Sequence, residues 1–453
     1  MNRLLAVLVF FICAEDADAL YGPIMFAPLG WVRSILSAPL PIKIRPLDLL
    51  MGVLLVVASA KKPPKDVPKG TVRPMRSALL LAVFTVVVWF VLGIVRGGDV
   101  RAASWQIYLM LAAVLYAFAV AAIGRTVDTW ILVAKAIVAA AMYRAIMCWV
   151  FYILYIRTLR VMPFPEYLTS HDDSVLWVIA LVMLALNALE RVTKNARLMA
   201  AICIPIIIMA IQFNTRRLAW VSLAAGLMAV YALLRPGPVK RRVNRYLLIA
   251  APLVVLYVAV GWGRPERFFR PLHAFATVST QEDASTKARN VENLGLIQTA
   301  NSTSMFTGTG FGHRYIEVSS KYSIADLFEL WPYIPHNSLL GLLAYTGMLG
   351  VAGWWLAFPT AMFLNARVAR LASDKSERTI GIVAAAQMVI CANQLYGDMG
   401  IFSPKTMYLL ATSYAVALRL PIQTGVWASA PRRAKTLAPP AVVPPEPTPA
   451  PLA

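Results

Sequence analysis

A histidine at the start of a long apolar segment is the first residue of this sequence with a clear chemical use. His336 follows Pro335 in the stretch YIPHNSLLGLL, and the long apolar segment begins at Asn337. A neutral imidazole accepts a proton near neutral pH, so a histidine fixed at the first turn of a helix is well placed as a general base. An ordinary structural hydrogen bond is the alternative, and position alone favours it. His336 is nevertheless a candidate catalytic residue, with Asn337 as a candidate supporting residue, and the wider context of the sequence decides between the two interpretations below.

Three arginines are candidate anion-binding groups. Arg216 and Arg217 lie in the stretch QFNTRRLAW between two apolar segments, and Arg289 lies in STKARNVENLGL, which has the pattern of a helix. A guanidinium group binds phosphate through two parallel hydrogen bonds. At the end of a membrane helix, the same side chain can instead extend to the water interface.

Two further groups combine charge with an apolar neighbourhood. Arg144 lies inside an apolar segment, where an ionisable residue is costly and usually functional. It either reaches an anionic ligand or pairs with another buried charge. His171, Asp172 and Asp173 lie where a loop becomes a helix. Helix capping by Asp173 or Ser174 is the ordinary interpretation there, and acceptor binding is the alternative.

A glycine-rich run precedes the candidate base. Gly308, Gly310 and Gly312 in GTGFGH permit tight turns and the close approach of backbone to a ligand. The run does not follow a strand and open a helix, so it does not predict a dinucleotide site. His313, directly after the run, is a second candidate histidine ranked below His336.

The elements that must position these residues are membrane helices. Of the 453 residues, 59% are apolar and 14% are charged, whereas about 25% are charged in a typical soluble domain. The apolar runs do not alternate with polar residues, which favours helices over a membrane barrel. We predict an all-α polytopic membrane protein with about 12 transmembrane helices. They lie near residues 4–20, 44–60, 77–95, 104–122, 129–155, 174–190, 198–213, 217–234, 246–262, 337–364, 379–397 and 405–419.

The distribution of charge predicts which side of the membrane each loop occupies. The net charge of +21 comes largely from short loops, as the positive-inside rule requires, and does not indicate nucleic acid. Loop 61–76 has six basic residues and one acidic residue, whereas segment 263–336 has seven of each. Alternation of the spans then places both termini in the cytoplasm of a bacterial cell. It places the arginine pair, Arg289 and His336 at the periplasmic face of the inner membrane.

The chain divides into four predicted regions. Segment 263–336 is much longer than an ordinary loop and contains many aromatic residues, so we expect an ordered, mostly helical periplasmic subdomain with a helix near 285–305. The apolar segment 20–40 is interrupted by prolines, and its conformation is left open. The regions are helices 1–9 in 1–262, the periplasmic subdomain 263–336, helices 10–12 in 337–420, and a disordered Pro-rich cytoplasmic tail 421–453.

The order of these features resembles the O-antigen ligase and O-antigen polymerase superfamily. The resemblance covers roughly residues 200–365 by motif, and the remainder only by the number of spans and the place of the large loop. Tyr345 stands where the family often has an acidic residue. The residues that carry the resemblance are the arginine pair, Arg289, the glycine run, and the His-Asn-x-x-Leu helix with its later Gly-x-x-Gly: His336, Asn337, Leu340, Gly347 and Gly350.

The resemblance implies an enzyme without a metal or other cofactor. Members of the family transfer a glycan from undecaprenyl diphosphate to an acceptor glycan in the periplasm. It implies that His336 activates the acceptor hydroxyl and that Arg216, Arg217 and Arg289 bind the diphosphate. Arg144, which is not part of the resemblance, is a further candidate for the diphosphate because of its position inside a span. Arginines can stabilise the charge of a leaving diphosphate in place of a metal ion.

Two questions stay open from the sequence. A ligase would use lipid A–core as acceptor and a polymerase would use another lipid-linked unit, and both would use the same residues. The alternative class is a membrane transporter or flippase of lipid-linked glycans. That class predicts charged residues buried in several spans and internal repeats of similar halves.

Overall fold

The computed structural model describes residues 1–15, 46–60, 70–158, 168–264, 266–269, 271–272, 276, 284–319 and 329–427. Every regular element within these ranges is helical, which confirms the predicted all-α class. Segment 20–40, residues 61–69 of loop 61–76 and residues 428–453 of the predicted tail lie outside the described residues. The start of the tail was predicted too early, because the last helix continues to Gln423.

Fourteen α-helices occur in the described part of the chain. They are α1 Asn2–Ala14, α2 Pro46–Ala60, α3 Arg73–Val95, α4 Val100–Ile123, α5 Val127–Phe151, α6 His171–Glu190, α7 Ala196–Asn214, α8 Arg217–Leu233, α9 Pro238–Gly261, α10 Ala284–Thr303, α11 Ser338–Trp355, α12 Ala357–Leu371, α13 Lys375–Gly397 and α14 Pro404–Gln423. A π-helical segment, Tyr152–Thr158, extends α5, and 3-10 turns occupy Arg267–Phe269, Trp331–Tyr333 and Gly400–Phe402.

The lengths and apolar composition of the helices define a multi-pass membrane protein. Eight segments of the described chain are long and apolar enough to cross a membrane: α3, α4, α5, α6, α7, α9, α11 together with α12, and α13. Helices α1, α2 and α8 are apolar but shorter. Helices also lie at the remaining predicted spans, so the count of about 12 stays a prediction beyond these eight.

Helices α6 and α14 lie at the centre of the bundle. Every residue of α14 from Lys405 to Ile422 is buried, and α6 is buried along most of its length. Helix α14 packs against α4, α12 and α13, and α6 packs against α5, α7, α8 and α13. Side chains on such helices are held by close packing on all sides, so groups at the helix ends have fixed positions.

Helix α11 is interrupted inside the predicted tenth span. Gly347 has a φ of 60°, in the left-handed region that favours glycine. The N–H groups of Thr309 and Gly310 donate to the carbonyls of Ala344 and Tyr345, at 3.0 and 2.7 Å. Two N–H groups beyond the break donate back to the same loop. The loop therefore satisfies the backbone groups that the break would leave without partners in a membrane.

The predicted helix near 285–305 is present as α10. It packs against α11, and Leu296, Tyr315 and Ala344 form a small buried cluster with Leu340 beside it. The described part of segment 263–336 is thus anchored on the first half of α11. Its assignment as a separate periplasmic subdomain stays a prediction.

Candidate functional site

A polar cavity of about 220 Å³ lies where α6, α8 and α11 begin, with one face of α10 forming its wall. The predicted catalytic histidine and two of the predicted arginines, Arg216 and Arg289, line it. The charged, histidine and aromatic residues of its lining are His171, Arg216, Arg289, Glu292, Tyr315, Glu317, Trp331 and His336. Three of the predicted residues, which are far apart in sequence, are therefore brought to one cavity.

Glu292 fixes the orientation of His336. One carboxylate oxygen accepts the backbone N–H of His336 at 2.7 Å, and the other lies 2.9 Å from ring atom Nδ1. The Trp331 ring lies edge-on to the imidazole, with 5.1 Å between ring centroids. A carboxylate on Nδ1 stabilises the tautomer with its proton there, which leaves Nε2 of a neutral ring able to accept a proton. The His336 side chain is 22% exposed, so the cavity gives access to it.

His171 has a different arrangement, with both ring nitrogens bonded. Nε2 lies 2.8 Å from Nη1 of Arg216, and Nδ1 contacts a carboxylate oxygen of Asp398. Because a guanidinium only donates, Nε2 must accept and Nδ1 must carry the proton. His171 therefore links Arg216 to Asp398, and in this state it is not available as a base. The comparison favours His336 over His171 for proton transfer.

Arg289 connects α10 to the end of α13. Its guanidinium donates to the carbonyl of Gly397 and lies 3.8 Å from Asp398. Gly397 is the last residue of α13, where the helix dipole is negative and favours a cation. The Arg289 side chain is 35% exposed, and it lines the cavity. It can therefore present a positive charge to an anionic ligand.

Asp398 is the buried anion beneath the cavity. Burial alone would raise the pKa of its carboxyl group. Electrostatic attraction to His171 in the protonated form of its ring, and the hydrogen bond between the two, followed by attraction to Arg289 and to protonated His336, overcome this and lower the pKa to about 2. The next residue, Met399, donates its N–H to the carbonyl of His336 at 2.6 Å. Asp398 is thus ionised at neutral pH, and its loop is tied to the candidate base.

The glycine run has a structural role that differs from the predicted one. Gly308, Gly310 and Gly312 all have positive φ values. A Cβ atom at Gly310 would lie 2.3 Å from the Cα of Gly93, and one at Gly308 would meet Tyr345 backbone. The glycines therefore allow close approach of backbone to α3, α4 and α11, and they do not line the cavity. A role of these glycines in the approach of a ligand stays a prediction.

Arg144 belongs to a separate buried cluster. It is 1% exposed, and its Nη2 lies 2.7 Å from Oδ2 of Asp173, while Lys405 Nζ lies 2.5 Å from Oδ1. Arg144 does not line the cavity. Of the two predicted roles, structural pairing is the one present. The predicted cap of α6 by Asp173 or Ser174 is wrong, because the helix begins earlier, at His171, and its N-cap residue is Ser170, which makes no side-chain cap bond.

Three other predicted residues lie outside the cavity lining. Arg217 is the first residue of α8, directly after Arg216, which occupies the N-cap position. His313 bonds through Nε2 to the carbonyl of Gly93 at 3.1 Å. Asn337 caps α11, where its side chain accepts the N–H of Leu340 at 3.1 Å. Asn337 therefore supports His336 by fixing the start of the helix, whereas Arg217 and His313 contribute no cavity surface.

Glu292 and Asp398 were not predicted from the sequence. Glu292 follows Arg289 by three residues, a spacing that places two side chains on the same helix face. That spacing was an available signal. Asp398 follows α13 directly, in the stretch YGDMG, and nothing in that stretch indicates which histidine it contacts. Among the described residues, no group of three or more His, Cys, Asp and Glu side chains is arranged to hold a metal ion.

The chain matches no protein-family model and no curated protein. Its functional assignment therefore rests on the residues of the cavity and on the position of the cavity at the ends of membrane helices.

Proposed function

We propose that this protein is a metal-independent glycosyltransferase that moves a glycan from an undecaprenyl-diphosphate donor to an acceptor glycan at the periplasmic face of the inner membrane. His336 is the general base, and Arg216 and Arg289 bind the donor diphosphate. The acceptor is lipid A–core if the protein is an O-antigen ligase, or a second lipid-linked glycan if it is a polysaccharide repeat-unit polymerase.

One observation carries the proposal: an oriented histidine shares a cavity with two arginines. Glu292 holds Nδ1 of His336, so Nε2 can take the proton of an acceptor hydroxyl. The acceptor oxygen then forms a bond to the anomeric carbon while the bond from that carbon to the phosphate oxygen breaks. Undecaprenyl diphosphate leaves with the electron pair of that bond, and the proton stays on His336.

The leaving diphosphate needs positive charge that is already in place. Electrostatic groups that need no rearrangement during the reaction give the largest stabilisation of a transition state. Arg216 is held by His171, and Arg289 is held at the end of α13. Both guanidinium groups are therefore oriented before a ligand arrives. This supports arginines in the role that a metal ion has in many other glycosyltransferases.

The alternative is a transporter or flippase of lipid-linked glycans, and one observation favours it. Arg144, Asp173 and Lys405 are buried charges on three different helices, which is a feature expected of transporters. However, Asp173 and Lys405 both lie in the first turn of their helices, and Asp173 pairs with both Lys405 and Arg144. The three charges therefore form one local cluster and do not form a path along the bundle.

Substitution of His336 tests the proposal directly. Loss of a general base typically lowers the rate by about 10²–10⁴-fold. In cells that lack their own copy of the gene, His336→Ala should abolish surface glycan transfer, measured on polysaccharide gels, at normal membrane levels of the protein. The purified variant should still bind undecaprenyl diphosphate, because the arginines are unchanged.

His313→Ala is the matched control, because His313 bonds to Gly93 outside the cavity. It should retain transfer. Near-normal transfer by His336→Ala at normal protein levels would refute the assigned base. A wild-type protein that fails to bind undecaprenyl diphosphate would refute the donor, and would favour another ligand for the arginines.

The orientation of the chain can be tested with a matched pair of exposed asparagines. Asn301 lies on α10 and Asn244 lies on α9. The four native cysteines are buried, so they give little background labelling. In intact spheroplasts an impermeant thiol reagent should label Asn301→Cys and leave Asn244→Cys unlabelled until the membrane is broken. The reverse pattern would place the cavity in the cytoplasm and exclude a periplasmic reaction.

A further inference from the structure

A second and larger cavity lies between α5, α6, α7, α13 and α14. Its volume is about 850 Å³, and most of its lining residues are apolar, such as Val138, Met142 and Ile380. Two lysines, Lys135 and Lys194, also line it. Neither the candidate base nor the candidate diphosphate-binding arginines contribute to its wall. The function proposed above leaves this cavity without a role.

The two cavities lie at different levels along α6, the helix that lines both. His171 begins α6 at the polar cavity, and Met183, the nearest residue of α6 that lines the large cavity, follows 12 residues later. At 1.5 Å per residue this separation is about 18 Å. Helix α13 agrees with this, because its large-cavity residue nearest to Asp398 is Gln387, and Asp398, which contacts His171, follows the end of the helix. A single small headgroup cannot occupy both cavities.

The residues that line the large cavity indicate what kind of molecule it binds. An apolar cleft among membrane-spanning helices takes a hydrocarbon chain, whereas a soluble anion would gain nothing from its apolar walls. Lys135 and Lys194 are both exposed, and a lysine attracts anionic lipid headgroups at a membrane surface. Lys135 is eight residues into α5, and its long apolar stem lets the ammonium group extend towards the headgroup level.

We infer that this cavity is a binding site for an anionic phospholipid, with the acyl chains against its apolar wall and the phosphate at Lys135 and Lys194. Further basic side chains at the same end, Arg191, Arg197 and Lys375, add to the positive field there. By the charge of its loops this end faces the cytoplasm, where anionic lipid lies in the adjacent leaflet. The site does not depend on the proposed glycosyl transfer.

Native mass spectrometry of the detergent-purified protein tests the inference. The probes are phosphatidylglycerol and phosphatidylcholine with identical acyl chains, added as an equal mixture. The wild-type protein should retain phosphatidylglycerol preferentially. Each lysine near a lipid headgroup contributes about fivefold in affinity, so Lys135→Gln with Lys194→Gln should lower the preference on the order of 25-fold. The charge-matched control is a double variant of two lysines outside the cavity, Lys240→Gln with Lys287→Gln. This control should keep the wild-type preference for phosphatidylglycerol.

A second variant tests the apolar wall separately. Ala139 lines the cavity and is exposed, so Ala139→Trp fills space without displacing buried side chains. It should lower the retention of both lipids. Equal retention of the two lipids by the wild-type protein would mean ordinary boundary lipid and would overturn the inference. An unchanged preference after loss of Lys135 and Lys194, or an equal loss in the control, would overturn it as well.

Discussion

Two clusters of charged residues meet the first turn of α6, and they differ in their access to solvent. His171 belongs to the polar cavity, and its side chain is 36% exposed. Asp173, two residues later, is completely buried between Arg144 and Lys405. Residues two apart on a helix point in nearly opposite directions. One helix end therefore supplies both an open ionic site and a closed ionic cluster behind it.

The difference indicates what each cluster does. In the closed cluster, one carboxylate bonds to two cations, and all three side chains are at most 1% exposed. In the open cluster, Arg289 and His336 keep exposed surface that faces a cavity. A buried ionic group without access to a ligand can only position its surroundings. We therefore assign a structural role to the closed cluster and the chemistry to the open one.

The largest expected effect follows removal of the buried carboxylate. Asp173→Asn leaves Arg144 and Lys405 as buried cations without a balancing charge. Breaking a buried ion pair in this way costs about 3–5 kcal/mol. The variant should accumulate poorly in membranes, and its thermal unfolding midpoint in detergent should fall sharply.

Asp128→Asn, at the exposed first turn of α5, is the control and should change stability by less than about 1 kcal/mol. Normal accumulation and an unchanged midpoint of Asp173→Asn would mean that the cluster does not support the fold.

Two adjacent arginines provide the next test of whether access to the cavity decides which residues bind a ligand. Arg216 lines the cavity, whereas Arg217 does not. A hydrogen bond to a charged group contributes about 1.5–3 kcal/mol, so Arg216→Gln should weaken the binding of undecaprenyl diphosphate by roughly ten- to a hundredfold. Arg217→Gln should change it little. The measurement is a binding titration with purified variants of equal thermal stability. Equal losses of affinity in Arg216→Gln and Arg217→Gln would mean that undecaprenyl diphosphate does not bind in the cavity that Arg216 lines.

Glu292→Gln should have a smaller effect, confined to turnover. A glutamine keeps the shape of the side chain but removes the carboxylate that orients His336. Transfer should fall by about tenfold or more, less than for removal of the general base itself. Undecaprenyl diphosphate binding should be unchanged. Glu317→Gln, an exposed carboxylate of the same cavity, is the control. If both variants lose equal activity, Glu292 does not position the base.

The sequence predicts the helices well because apolar length and charge distribution are local properties. Helices occur at each predicted span, and even α10 is found close to its predicted place. The convergence of Arg216, Arg289 and His336 also follows from the sequence, because alternation of the spans puts all three at one end of the bundle. Site residues on the same side of a membrane can be grouped without knowledge of the packing.

The partners of those residues depend on packing and could not be predicted in the same way. The sequence marks Arg144 and Arg216 equally as arginines within or beside an apolar segment. Arg144 nevertheless bonds to Asp173 in the interior, whereas Arg216 bonds to His171 at the cavity. The direction of a side chain around the helix axis decides between these outcomes. The glycine run is ambiguous in the same way, because a glycine lets its backbone approach a ligand or another helix equally closely.

The smallest expected effect is a dependence of stability on pH through Asp398. The folded protein lowers the pKa of this carboxyl group from its ordinary 3.8 to about 2. A lowered pKa means that the contribution to stability is fully present above about pH 4. It is lost as the pH falls through about 2, and it amounts to about 2 kcal/mol. The difference in thermal midpoint between the wild-type protein and Asp398→Asn should therefore be constant from pH 6 to pH 5 and shrink between pH 4 and pH 2.5. The same comparison with Asp128→Asn should show no such convergence. A difference that stays constant or widens at low pH would mean that Asp398 is not the ionised partner of the open cluster, and that His171 and Arg289 are held in place by other contacts.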